Sequence, residues 1–250
     1  MTALDDDHLN AVELENVTVD RQSFRSLADC GDDLVELKVN CHSVSDESML
    51  ELESCQNLEE FAVTSDLVTD RSLGIVLKGK KELTFIAISA KQVDGRFLGS
   101  VDSPLFMLRM DDCRIENDSL KELQRFTSLE VLSLRNSVSI NDTGVKAIVG
   151  ARSLRAVDVT GTQIGSEGLN SLATLEELDT LVLEQCKELD DQCITALIQI
   201  SDLYRLSVYG TRITRSGVDR LRLAMPDCSI AATAAERWTN PFTGSVLDLN

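Results

Sequence analysis

The sequence predicts an α/β solenoid: a right-handed stack of short coils in a horseshoe or arc, with a parallel strand ladder on the concave side and short helices on the convex side. The first observation behind this is a leucine frame. Leu9, Leu34, Leu58, Leu83, Leu105, Leu129, Leu154, Leu178 and Leu203 recur at intervals of 22 to 25 residues. The second is a template that hangs on that frame. Counting each leucine as position 0, apolar residues also occupy positions 3, 5, 10, 15 and 18, with positions 10 to 18 one residue later in the sixth and eighth repeats. Only 43% of the chain is apolar, so agreement in all nine repeats is a structural signal. The third is a change of period within each repeat.

Positions 3 and 5 lie two apart, the alternation of a strand with one buried face; positions 15 and 18 lie three apart, the spacing of a helical stripe. Each repeat therefore reads as a strand, a turn and a short helix, with strands centred near Leu37, Val63, Ile88, Met110, Leu134, Val159, Leu183 and Val208. Helix starts are marked by Thr69-Asp70, Asn141-Asp142 and Thr214, whose side-chain oxygens suit free backbone N–H groups and whose acids suit the positive end of a helix. One coil cannot bury its apolar edge alone, so coils must stack. Strands about 4.8 Å apart would give a ladder roughly 40 Å long. The fourth repeat departs from the rest. Only 22 residues separate Leu83 from Leu105, and Val93-Asp94-Gly95-Arg96-Phe97-Leu98-Gly99 followed by Pro104 leaves room for a loop or single turn in place of a helix.

Stretches such as LYRLSVYGTRITRSGVDRL at 203–221 and LRAVDVTGTQIGSEGLNSL at 154–172 resemble the short leucine-rich repeats common in planctomycete proteins. More distantly they are similar to the cysteine-containing repeats of F-box proteins. The resemblance spans residues 9–230, including Met225-Pro226-Asp227-Cys228-Ser229-Ile230 as a closing half-repeat. It implies a repeat domain over 1–230 and a tail or cap over 231–250. A shared scaffold does not fix a shared chemistry.

Composition narrows the function. A net charge of −18 opposes a phosphate-binding or anionic-membrane role, because both require clustered Lys and Arg. Neither nucleic acid nor membrane is therefore an expected partner. The start, Met1-Thr2-Ala3-Leu4-Asp5-Asp6-Asp7, is acidic with no apolar run behind it, which reads as neither secretory signal nor anchor and points to a cytoplasmic, monomeric protein. The sequons at Asn16, Asn117 and Asn141 then carry no glycan, and Asn141 is a helix cap.

Seven cysteines do not form a disulfide framework on this register. Cys113 and Cys186 share position 8 but lie three coils apart, about 14 Å by strand spacing. Cys30 and Cys55 share position 21 in adjacent repeats and could meet; reduced, buried thiols are the default in a chain without an export signal. Cys41-His42 is an isolated pair read as a turn, not a metal site. His8 and His42 are the two histidines, and no nucleophile elbow, phosphate loop or zinc motif accompanies them. Asp5-Asp6-Asp7, Asp32-Asp33 and Asp190-Asp191 lack the spacing and glycine of a calcium loop and read as solvated carboxylates. No cofactor, metal or catalytic residue is expected.

Function is then expected on the concave face, to which positions 2, 4 and 6 point. Position 2 becomes apolar in the middle of the chain, stacking Phe85, Met107 and Val131 into a stripe of the kind that marks partner sites. Around it, position 4 supplies Arg109 and Asp158, and position 6 supplies Asp111, Arg135, Glu184 and Tyr209; Arg205 ends the position 2 column. A blander alternative pairs Asp111 with Arg135 across strands and folds Phe85 and Met107 over the core edge. In the tail, Trp238 and Asn240-Pro241-Phe242 are expected to pack over the open end of the ninth coil.

These readings converge on a non-enzymatic module that binds a protein partner on its concave face. Two alternatives stay open. The F-box resemblance implies a substrate-recognition component of a ubiquitin ligase, although repeats starting at residue 9 leave no room for an F-box ahead of them. The acidic surface would also suit an inhibitor wrapping a basic enzyme.

Overall fold

The computed structural model describes residues 10–237, which divide into two compact units, one ending at Ile115 and the other beginning at Glu116. Leu9, His8, the acidic start, Trp238 and Asn240-Pro241-Phe242 lie outside the described residues.

In the first unit five strands pair in chain order, all parallel: β1 (Ala11–Glu15), β2 (Glu36–Asn40), β3 (Glu60–Thr64), β4 (Phe85–Ser89) and β5 (Met107–Asp111). The second unit repeats the arrangement with β6 (Val131–Ser133), β7 (Ala156–Asp158), β8 (Thr180–Val182), β9 (Arg205–Ser207) and β10 (Ser229–Ala231). The register follows the leucine frame without slippage. Position 3 aligns as Val12, Leu37, Phe61, Ile86 and Leu108 in one unit, and as Leu132, Val157, Leu181, Leu206 and then Ile230 in the other. Strand centres lie one or two residues away from the expected ones, at Lys38, Ala62, Ala87 and Arg109 in the first unit and at position 3 in the second.

The core is the sum of the template columns. From Leu34 to Leu178 every frame leucine has no exposed surface, and Leu203 retains 5%. Enclosing a leucine side chain contributes about 1.5–3 kcal/mol, so within each unit stability is built coil against coil.

The side opposite the strands is less regular than a strand–helix template predicts. Seven α-helices occur among the described residues: α1 (Arg21–Ala28), α2 (Asp46–Met49), α3 (Asp70–Val76), α4 (Asp142–Ile148), α5 (Ser166–Leu172), α6 (Ile194–Ile198) and α7 (Arg215–Ala224). The fourth coil has only a 3₁₀ turn, Arg96–Ser100, entered through Gly95 at φ +96°. In the fifth coil the template predicts an α-helix, and the structure corrects it: Ser119–Arg125 is 3₁₀ throughout. Tighter winding still presents Leu120 and Leu123 to the core, because residues three apart share a face in either helix type.

The expected caps form: Thr69, Asn141 and Thr214 accept hydrogen bonds from the backbone N–H groups of Arg71, Thr143 and Gly217. The acids beside them do more than face a helix dipole. Asp46 accepts from the backbone and hydroxyl of Thr69 at 2.9 and 2.7 Å; Asp70 accepts from the backbone N–H groups of Asp94, Gly95 and Phe97; Asp142 accepts from Gly165 N; and Asp191 accepts from the backbone and hydroxyl of Thr214. Each carboxylate thereby satisfies the free donors that open the next coil. Asp190 likewise accepts from Gln192 N, so the Asp190-Asp191 pair, read from sequence as solvated, is built into the coil starts.

Candidate partner-binding face

In the first unit the face left open by the core columns begins with charge. Lys38 is buried between Glu36 and Glu60, 3.3 Å from the latter and in closer contact with the former. Burial lowers its pKa, but the two carboxylates outweigh that, and the Lys38 ammonium is held above its ordinary value. Ala62 and Ala87 follow in the same column, then Arg109, which is 6% exposed and donates from Nη2 to Asp111 at 3.0 Å. Its Nε is enclosed with no acceptor among the described residues. Arg109 and Asp111 are thus partners along one strand.

Phe85 and Met107 are register partners on β4 and β5, and both are half-buried. Phe106, the residue that precedes β5, is 45% exposed. It occupies position 1, outside the columns read from sequence. The same position in the ninth coil holds Tyr204, 62% exposed, with the Arg205 guanidinium 5.9 Å from its ring centroid. The signal was available: among residues that directly follow the frame leucines, these two are the aromatic ones.

Val131 belongs to the second unit, where it is partly buried against Ala156 and Val182, which are themselves enclosed. Beside the cluster, Asp158 is fully enclosed, 3.6 Å from Arg135 Nη1 and accepting from Thr160 N at 2.9 Å. Glu184 is 7% exposed and accepts from Ser207 Oγ at 2.9 Å. It also receives Arg237 from near the end of the described chain, with Nε at 2.9 Å and Nη2 at 2.8 Å, while the same guanidinium lies 5.6 Å from the Tyr209 ring centroid. Position 4, expected to point outward, is therefore largely enclosed from Lys38 onward, because its small side chains sit between larger neighbours and its charged ones fold into ion pairs.

The thiols are placed for structure. Cys41, Cys113 and Cys186 donate to carbonyls of the preceding coil, those of Leu14, Ile88 and Val159. Burial pushes the Cys113 thiol up to about 12 and that of Cys186 up to about 11, which keeps both protonated and poorly nucleophilic. Cys30 and Cys55 are unbonded thiols, and Cys41-His42 opens a turn. Among the described residues no group of three or more His, Cys, Asp or Glu side chains could hold a metal ion, and no helix is long and apolar enough to cross a membrane.

A family model described as "Leucine Rich repeat" matches residues 127–149 and 150–173, the sixth and seventh coils. The fold is that of a leucine-rich-repeat solenoid. No curated protein sequence matches the chain. Among solved structures, this chain is similar to an internalin from Listeria monocytogenes, with a TM-score of 0.65 and 17% identity over 90% of this chain and 59% of that one. It is also similar to a chain of the yeast Rad7–Elc1 complex, with a TM-score of 0.62 and 18% identity over 85% of this chain and 64% of that one. At such identities the likeness establishes the fold. The chain spans about six tenths of either structure's length.

Proposed function

We infer that this protein is a non-enzymatic module that holds a protein partner against its open sheet face. The observation that carries this reading is the pairing of Phe85 with Met107 across β4 and β5, large apolar side chains left partly exposed beside an Arg109–Asp111 ion pair that is already formed. Apolar surface ringed by satisfied polar groups is how interface centres are built, since the centre supplies binding energy and the rim supplies orientation. In this reading Arg109 and Asp111 form the rim in the first unit. In the second unit Arg135, Asp158, Glu184, Arg205 and Tyr209 surround the Val131 cluster. The 1–230 segment serves as the repeat domain, and the protein acts as a cytoplasmic monomer without cofactor or nucleic acid.

The yeast structure is a complex, which agrees with a partner-holding role for this scaffold; no residue of the open face favours a ligase over any other assembly. The test is photo-crosslinking from p-benzoylphenylalanine placed at 85 or 107, compared with 75 on α3 on the opposite side. The reading requires a discrete adduct from 85 or 107 and none from 75. Adducts from 75 alone would refute it.

A further inference from the structure

We propose that the groove between the turn after α6 and the turn after α7 is a docking site for a partner segment that presents an aliphatic side chain, of leucine or isoleucine size, next to a lysine or arginine. The site stands on residues that the sheet-face reading does not use, so the two are independent.

The groove arises from the way the leucine frame ends. Leu154 and Leu178 have no exposed surface, and Leu203 keeps 5%. Frame leucines close the turn ahead of their strand: Leu129 N donates to Phe126 O at 3.2 Å and Leu154 N to Ala151 O at 3.3 Å. In the closing half-repeat the same bond runs from Cys228 N to Met225 O at 3.1 Å, so Cys228 stands where the earlier coils place leucine. From there the chain reaches its strand one residue early. Ile230 pairs with Leu206 and lies two positions after Cys228, whereas Leu206 lies three after Leu203. The column of frame leucines therefore ends on a smaller side chain in a shortened turn.

Beside that ending lies an apolar groove of about 330 Å³. Its floor is Ile200 and Leu203, 2% and 5% exposed; its walls include Ile198, 38% exposed, and half-buried Met225. Cys228 also lines it, and burial pushes that thiol up to about 11. Ligand sites span about 300–1,000 Å³, so this groove is at the small end and suits one or two side chains better than a cofactor. Each earlier coil fills the equivalent place with its own leucine. The occupant that fits is another aliphatic side chain.

Charge fixes what stands beside it. Asp227 lines the same groove, is exposed, and joins no ion pair or hydrogen bond among the described residues. Asp202, in the turn after α6, is also exposed and accepts from the Ser201 hydroxyl at 2.9 Å. No lysine or arginine lines the groove among the described residues. An acidic partner would meet two like charges here, whereas a cation beside the apolar anchor would meet two carboxylates. The enclosed anchor would supply most of the affinity, and the exposed acids would set orientation and salt dependence.

The test is selection of phage-displayed random short peptides on the intact immobilised chain. Enriched peptides are then titrated by fluorescence polarisation against wild type, Ile198→Asp and Asp227→Asn, with circular dichroism to confirm each fold. The peptides should share Leu or Ile beside Lys or Arg, bind Ile198→Asp at least about tenfold more weakly, and lose about twofold to fivefold on Asp227→Asn. They should also slow iodoacetamide alkylation of Cys228 and leave that of Cys30 unchanged. Asp227→Asn alters an exposed side chain, so it keeps the readout should Ile198→Asp fail to fold. Enrichment of acidic peptides, or affinity indifferent to both substitutions, would overturn the proposal. So would enrichment of nothing; a dimer in sedimentation velocity would then make a second copy the occupant, and a monomer with Cys228 already protected would make it another part of the same chain.

Discussion

Arg135 holds its Nη1 atom 3.6 Å from the carboxylate of Asp158, and the two side chains differ sharply in exposure: that of Arg135 is 28% exposed, that of Asp158 not at all. Removing either partner should therefore have unequal consequences. A cation that loses its partner here can turn toward water; an enclosed carboxylate that loses compensating charge cannot. Arg135→Ala is expected to cost about 3–5 kcal/mol, and the double variant Arg135→Ala/Asp158→Asn to recover part of it. Asp158→Asn alone should cost less, about 1–3 kcal/mol, because the amide oxygen still accepts from Thr160 N. Urea unfolding of the three variants checks the order; equal costs would show that the carboxylate is not the strained member.

The coil-to-coil carboxylate contacts depend on glycine. A Cβ at Gly168 would lie 2.6 Å from Asp142 Oδ1 and 2.7 Å from Ile164, and one at Gly217 would lie 2.3 Å from Asp191 Oδ1. Gly168→Ala and Gly217→Ala should each destabilise by about 1–3 kcal/mol by pushing the carboxylate off its donors. Gly99→Ala meets nothing within 4 Å and should change the melting temperature little.

Asp191 gives these contacts a pH signature. The Thr214 hydroxyl, then its backbone N–H, hold the Asp191 carboxyl below its ordinary range. A carboxyl with a depressed folded-state pKa adds stability above its unfolded value, near about 3.9, and that stability is lost as pH falls through the folded value. The stability gap between wild type and Asp191→Asn should be constant near neutrality and close below about pH 4. A gap that widens on acidification would reverse the assignment.

Thiol titration of the denatured chain without reductant should count seven free cysteines. In the native protein at pH 8, Cys113 and Cys186 should resist alkylation, since burial holds them protonated, while half-exposed Cys30 reacts first. Mass mapping of a short iodoacetamide pulse distinguishes the sites. Early labelling of Cys186 would contradict the enclosed turn.

The strand ladder was legible because its determinant is periodic: a side chain at position 3 is buried by the same column in every coil, so nine repeats report one rule. Cap residues were legible for the same reason, as Thr69 and Asn141 act within their own coil. The second role of Asp46, Asp70, Asp142 and Asp191 was hidden, because the donors they accept from lie about 23 to 27 residues onward and only the small residues facing them, Ser72, Gly168 and Gly217, betray the close approach. The candidate face was legible in its columns but not in its occupancy. Phe106 escaped because position 1 is polar in most coils, and the Arg237–Glu184 contact escaped because it joins the repeats to a segment outside them.

The most direct test of the sheet-face account compares proteins retained from native lysate on immobilised wild type, on Phe85→Ser/Met107→Ser and on Ile75→Ser, by quantitative mass spectrometry. Ile75 is the control, 37% exposed on the helical side. The account predicts that the species enriched by wild type fall at least tenfold on the sheet-face variant, about 1.4 kcal/mol or more, and persist on Ile75→Ser. Retention by the sheet-face variant with loss on Ile75→Ser would contradict it.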